Sequence, residues 1–237
     1  MELNIENFDN LIIYQFGKVG SSTLTKTFEN IIPTTHTHYF DSNLIKNKTL
    51  IINVTRNLFD RNISAFFQNI NNKPNDGDFD IPYNGKHIRE GCLMYSEKKE
   101  MSELINFFRD INIEKLLKIR YTNWYKYFNE QLNINIFEKP FDFYKKYTIY
   151  ETNNITLIIL RFEDINNWEN ILSTIFNRKI NIISDNLTNN KDIYELYENF
   201  KKTYKYSEEE INLIKNIDFM KHFYLDIEID KFIKRFD

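Results

Sequence analysis

The chain predicts an α/β fold: a central, mostly parallel sheet flanked by helices, with a helical C-terminal part. Three observations predict it. Residues 11–16, 49–54 and 156–161 are short apolar, β-favouring runs without strict alternation, the pattern of strands buried on both faces. The order strand, helix, strand, strand, helix can be read through residue 70 from turn residues and helical spacing. From about Trp168 onward the apolar residues recur at helical rather than strand spacing.

The first strand, Leu11-Ile-Ile-Tyr-Gln-Phe16, ends at Gly17. Ser21 or Ser22 can cap the helix that follows, which runs to about Asn30 and stops before Pro33. Thr34-Thr-His-Thr-His-Tyr-Phe40 alternates as a second strand, and Thr49-Leu-Ile-Ile-Asn-Val54 makes a third. The next helix is expected over residues 59–70. Residues 71–91 gather Asn, Pro, Asp and Gly and lose periodicity, the mark of a long surface excursion of the kind that forms lids. Helical spacing returns over 102–132, with a break expected near Asn112. Short strands are expected at 134–137 and 147–151 around the Lys139-Pro140 turn, and the fourth core strand at 156–161. Two amphipathic segments, 207–216 and 219–236, close the chain. Neither a repeat nor a linker divides the sequence, so one domain over 1–237 is expected.

A chain of 237 residues can bury a substantial core, and 15 tyrosines and 21 phenylalanines supply material for it. Thirty-four acidic against 31 basic residues leave a formal charge of -3. That balance argues against broad electrostatic binding to nucleic acid or to anionic membranes, so any anion site has to be local. A single cysteine, Cys92, excludes an internal disulfide and supplies too few thiols for a structural zinc site, which fits a reducing compartment. The first ten residues lack the basic and apolar regions of a signal peptide, and no apolar run is long enough to span a bilayer. A cytoplasmic protein without a membrane span is expected.

Two segments carry chemistry. Gly17-Lys-Val-Gly-Ser-Ser-Thr23 follows a strand and opens a helix. Phosphate binding at such a turn needs small residues for close approach, N–H groups at the helix start and a cation, and this segment has all three. Lys18 precedes Gly20, whereas a Walker A loop sets lysine after its second glycine. The third strand leads to Thr55 and Arg56 rather than to a magnesium-binding aspartate, which disfavours metal-dependent phosphoryl transfer. The second segment sets Arg56 and Ser64 in an Arg-x7-Ser spacing. Two anion sites suggest one ligand with two phosphate groups. The plain alternatives are a helix-capping turn, a surface ion pair of Arg56 with Asp60, and a solvent-facing Ser64.

The residue types, order and separation of these motifs resemble those of sulfotransferases that use 3'-phosphoadenosine 5'-phosphosulfate (PAPS). Lys18-Val-Gly-Ser-Ser-Thr23 is similar to their 5'-phosphosulfate loop, Arg56-x7-Ser64 to their 3'-phosphate motif, and Arg161-Phe-Glu-Asp164 to their strand-end Glu-Asp segment. More narrowly, Arg61-Asn-Ile-Ser-Ala-Phe-Phe-Gln-Asn69, the turn from Phe137 to Pro140-Phe141, and His222-Phe-Tyr224 resemble a bacterial family assigned to capsular polysaccharide synthesis. The resemblance covers most of the chain. It implies a P-loop NTPase-like sulfotransferase fold, PAPS as donor and PAP as product, no metal requirement, and transfer to a hydroxyl of a carbohydrate or polysaccharide.

On this resemblance Gly17, Lys18, Val19, Gly20, Ser21, Ser22 and Thr23 hold the 5'-phosphosulfate, with Lys18 bridging the reacting centre. Arg56 and Ser64 hold the 3'-phosphate, for which a guanidinium is well shaped. Transfer also needs a base for the acceptor hydroxyl. His36 and His38 alternate onto one face of the second strand. They resemble the strand-borne histidines of uronyl 2-O-sulfotransferases, in which the second is the base, so the role falls on His38 and His36 supports or orients substrate. Structural hydrogen bonding is the plain alternative for both, and His87 and His222 are the only other histidines for a metal site. Arg61 either assists the 3'-phosphate clamp or pairs with an acid. The basic Gly-rich segment that often completes this pocket has no counterpart, and residues 86–89 are either its substitute or solvated charge. Trp124 and Trp168 line a pocket or fill core, and Glu163 organises the site or forms an ion pair. A P-loop kinase or NTPase and a non-catalytic nucleotide-binding protein are the competing functions.

Overall fold

The computed structural model describes residues 2–39, 41–70, 82–83, 86–87, 100–117, 120–184 and 194–236. Its strands are β1 (Asn10–Tyr14), β2 (Thr34–Thr37), β3 (Thr49–Thr55), β4 (Pro82–Tyr83), β5 (Lys86–His87), β6 (Tyr147–Glu151) and β7 (Ile155–Arg161). Its helices are α1 (Ser21–Phe28), α2 (Leu58–Ile70), α3 (Met101–Leu117), α4 (Arg120–Leu132), α5 (Trp168–Phe176), α6 (Tyr194–Thr203), α7 (Glu208–Lys215), α8 (Asp218–Phe223) and α9 (Asp226–Lys234).

Five strands form one sheet in the order β2-β1-β3-β7-β6, and β4 and β5 pair as a separate two-residue ladder. β2, β1, β3 and β7 run parallel, and β6 closes the edge antiparallel to β7. Every residue of β1, β3 and β7 is buried, as their unbroken apolar runs require.

The chain divides into two compact units. The first comprises residues 1–57, 122–188 and 222–224 and contains the five-stranded sheet. Leu11, Ile13, Leu50, Ile52, Val54, Ile158 and Leu160 pack on one face of it with Leu24 and Phe28 of α1 and Trp168, Leu172 and Ile175 of α5. Each such fully buried side chain contributes roughly 1.5–3 kcal/mol over exposure. On the opposite face Tyr14 stacks on Phe128 of α4 at 4.9 Å between centroids and meets Trp124 at 5.4 Å.

The second unit comprises residues 58–121, 189–221 and 225–237. Phe66, Phe67, Phe108, Phe200 and Tyr204 form its aromatic centre, with Phe200 stacked on Tyr204 at 5.1 Å. Glu210 is fully buried there. Its carboxylate accepts from Asn112 Nδ2 at 2.7 Å, from Ser207 N and Oγ at 2.9 and 3.0 Å, and from the Tyr204 hydroxyl.

Several expectations are corrected. α3 runs unbroken through Asn112, because the Asn112 amide is buried and bonded on both sides, to Asn62 and to Glu210. Gly20, in the left-handed conformation, is the N-cap of α1; neither Ser21 nor Ser22 is. Residues 134–137 form a turn and not a strand: the side-chain oxygens of Asn129 and Asn135 take the N–H groups of Ile136 and Phe137 that a ladder would need. The second strand ends at Thr37, ahead of His38. The last segment breaks at Tyr224–Leu225 into α8 and α9, where the Glu228 carboxylate takes the Leu225 N–H. Ser207 does head α7, through a reciprocal capping box with Glu210. Cys92 and residues 88–89 lie outside the described residues, as do all of 71–91 except β4 and β5.

Candidate functional site

The residues of interest in the first unit gather where the parallel strands end. β1 gives way at Gln15 to a turn in which Gly17, Lys18 and Gly20 have φ of +93°, +62° and +84°. Glycine is favoured at position 20 on two counts. Its φ is one that L side chains rarely adopt, and a Cβ there would lie 3.1 Å from Trp168 Cη2 and 3.2 Å from Phe162 Cε2. The turn delivers the chain into α1, whose first N–H groups have no intrahelical acceptor by geometry and no side-chain cap from Gly20. Lys18, Ser21 and Ser22 are half-buried and Thr23 is buried. Val19 is 3% exposed and sits in the core, so it offers only its backbone to a ligand.

Arg56 leaves the end of β3 and returns to the turn. Its Nη1 donates to the Lys18 carbonyl oxygen at 2.8 Å, and its Cζ lies 4.2 Å from the centroid of the Phe162 ring. Arg56 Nε is buried and has no hydrogen-bond partner. Asp60, the acid nearest in sequence, carries Arg235 at 2.6 Å within the second unit. Ser64 is half-buried on α2, also in the second unit, and Arg61 is buried there.

The strand-end segment Arg161-Phe-Glu-Asp164 is a set of struts. Glu163 Oε1 accepts from Asn57 N at 2.9 Å and Asn57 Nδ2 at 2.6 Å, and Oε2 accepts from the Tyr224 hydroxyl at 2.9 Å. Burial pushes the Glu163 carboxyl above its ordinary range, opposed by these bonds from Asn57 and Tyr224. Buried Arg161 donates to Asp164 Oδ2 at 2.8 Å and to the Phe223 carbonyl at 3.1 Å. Trp168 is wholly buried with its indole N–H on the Arg161 carbonyl, so it is core. Trp124 is half-buried, in contact with both Tyr14 and Phe16.

The two histidines lie against the same turn. His38 Nδ1 is 3.0 Å from the Gln15 carbonyl oxygen, and since a carbonyl only accepts, Nδ1 is the donor and Nε2 is the ring nitrogen not engaged by that bond. The His38 Cε1 is 3.5 Å from the position of a Cβ on Gly17. His36, on the edge strand β2, sets Nε2 3.1 Å from Gln15 Nε2, and the two imidazoles meet edge to face at 4.7 Å. His36 is exposed as a residue, yet its ring nitrogen faces the buried Gln15 amide. Desolvation first, then the charge of His38, holds its pKa below the ordinary value.

Compared with protein-family models, curated proteins and solved structures, the chain matches none of them. Among the described residues no helix is long and apolar enough to cross a membrane, and no group of three or more His, Cys, Asp or Glu could hold a metal ion.

The first unit thus brings together the Gly17–Gly20 turn, Lys18, Arg56, His36 and His38; Ser64 belongs to the other unit. Sequence reasoning missed Gln15 and Asn57. Their one signal was a polar side chain set directly behind an apolar run at a strand end. The arrangement sets N–H groups at a helix start, a lysine and an arginine beside the Nε2 edge of an imidazole.

Proposed function

We propose that this chain is a sulfotransferase that moves the sulfuryl group of PAPS to a hydroxyl of a carbohydrate or polysaccharide, on a P-loop-like sulfotransferase scaffold. One observation carries the reading: the base nitrogen of His38 is set free by the Gln15 carbonyl while the ring leans on the Gly17 turn that opens α1. A capping turn with two structural histidines explains neither this convergence nor the buried, unpartnered Nε of Arg56 beside Lys18.

The residues fit a doubly anionic nucleotide. Lys18 and the N–H groups at Ser21 and Ser22 face the 5'-phosphosulfate, and the Arg56 guanidinium is the donor for the 3'-phosphate. His38 Nε2 takes the proton of the acceptor hydroxyl as that oxygen bonds to sulfur. The bond from sulfur to the bridging phosphate oxygen breaks, and Lys18 and the helix N-terminus stabilise the charge left on that oxygen.

The test is calorimetric titration with PAP, AMP and ATP, followed by transfer of labelled sulfate from PAPS to a polysaccharide acceptor. PAP is expected to bind without magnesium and at least about tenfold tighter than AMP, one charge-assisted contact being sufficient for that ratio. Magnesium-dependent preference for ATP would overturn the proposal in favour of a kinase or NTPase. Tight PAP binding with no transfer to any acceptor would leave a nucleotide-binding protein without turnover.

A further inference from the structure

Gln15 touches both histidines and is itself fully buried. Its main-chain oxygen holds His38 Nδ1 and its side-chain nitrogen holds His36 Nε2, while its side-chain oxygen is buried with no hydrogen-bond partner. A buried amide with an orphaned oxygen is costly, and core packing alone is served as well by methionine. We propose that Gln15 is a positioning residue of the histidine pair: its carbonyl fixes the tautomer of His38, and its amide donates to His36 Nε2 and so keeps that ring neutral beside the base. The proposal rests on the reading of His38 as the acceptor of the substrate proton.

The charge arithmetic explains the device. When His38 takes a proton it becomes an imidazolium with its neighbour's ring at 4.7 Å. A second positive charge at that distance would oppose the step. An amide N–H aimed at His36 Nε2 is compatible only with an unprotonated nitrogen, so His36 carries its proton on Nδ1 and stays uncharged. Protonating His36 forces the amide to turn over and present its oxygen, and the orphaned group is then an N–H2 rather than an oxygen, which leaves a buried donor pair unpaired. Among the described residues no carboxylate bonds either ring, so His38 is the one titratable group set against His36. Desolvation acts in the same direction.

Nitrogen-15 NMR of histidine-labelled protein tests this without reference to turnover. In the wild type, His38 and His36 are both expected as Nδ1–H tautomers, with His36 Nε2 shifted as a hydrogen-bond acceptor. Either ring found protonated on Nε2 at neutral pH overturns the proposal. Gln15→Glu replaces the donor by an acceptor and is expected to raise the proton affinity of His36 by about tenfold or more. Gln15→Met is expected to release the His36 tautomer while His38 keeps Nδ1–H, since its partner is main chain. Unchanged His36 signals in Gln15→Met overturn the proposal even where Gln15→Glu does not fold. With turnover in hand, Gln15→Glu should lower kcat at neutral pH and leave the PAPS KM within about twofold. If no variant or wild type transfers sulfate, the sulfotransferase reading fails while the NMR outcome still decides the role of Gln15.

Discussion

Arg56 donates through Nη1 to the main-chain oxygen of Lys18, at 2.8 Å, with its guanidinium over the ring of Phe162. The residue that sequence spacing assigns to a ligand is therefore also a tether for the turn that would hold the ligand's other end. Lys18 needs one: it is a non-glycine residue at φ +62°. A lysine at position 56 has no planar fork with which to bond the carbonyl, cover the ring and still offer Nε. Arg56→Lys is expected to weaken PAP binding by about tenfold to a hundredfold, from the loss of one or two charge-assisted contacts. Titration of this variant with the wild-type affinity would remove Arg56 from the site.

Gly17 and Gly20 separate conformational strain from crowding. A Cβ on Gly17 would meet the His38 ring at 3.5 Å, an ordinary contact, so Gly17→Ala bears only the left-handed penalty of about 1–2 kcal/mol. At Gly20 the same penalty adds to contacts of 3.1 Å with Trp168 and 3.2 Å with Phe162, and Trp168 is locked in the core. Gly20→Ala is expected to cost about 2–4 kcal/mol in all. Urea unfolding of the two variants checks the order, and equal losses would show that the packing above Gly20 gives way.

On the proposed mechanism Lys18 and His38 divide binding from chemistry. Alanine at 18 bears the same left-handed cost as lysine, so Lys18→Ala should fold with little loss while transfer is abolished. His38→Ala removes the proposed base and leaves the turn and α1 in place, so it should bind PAP as the wild type does and transfer nothing. Equal turnover by wild type and both variants in a labelled PAPS assay would end the mechanism.

The buried strands, the turn that opens α1 and the helix α2 were legible because each depends on local sequence. An apolar run with no alternation reads as a strand covered on both faces, and β1, β3 and β7 are that. What was not legible depends on long-range partners. Asn112 is a poor helix former until Asn62 and Glu210 are brought against it from 50 and 98 residues away. Ser21 and Ser22 are better cap residues than Gly20 by type, but the turn's left-handed path puts Gly20 there instead. In the candidate site, the loop and the histidines were singled out from spacing, whereas Gln15 as the residue that both rings touch needed β2 to pair beside β1 in register, with Ile13 opposite His36.

His222 gives the chain a pH dependence whose sign can be worked out. Its Nε2 is buried without a hydrogen-bond partner, and Phe137 and Phe223 pack on it edge to face at 5.1 and 4.6 Å. Desolvation holds its pKa below the ordinary value, against the opposing pull of the Ile136 carbonyl. Above about pH 6.5 the ring is neutral folded or unfolded and contributes no slope. As the pH falls below that, the unfolded chain takes the proton first, so stability declines until the pH passes the lower folded-state pKa. His36 acts with the same sign. His222→Phe keeps the aromatic packing and cannot titrate; it is expected to decline less than the wild type between about pH 6.5 and 5. Urea unfolding across that range compares the two slopes, and parallel curves would mean that the ring is solvated enough to titrate alike in both states.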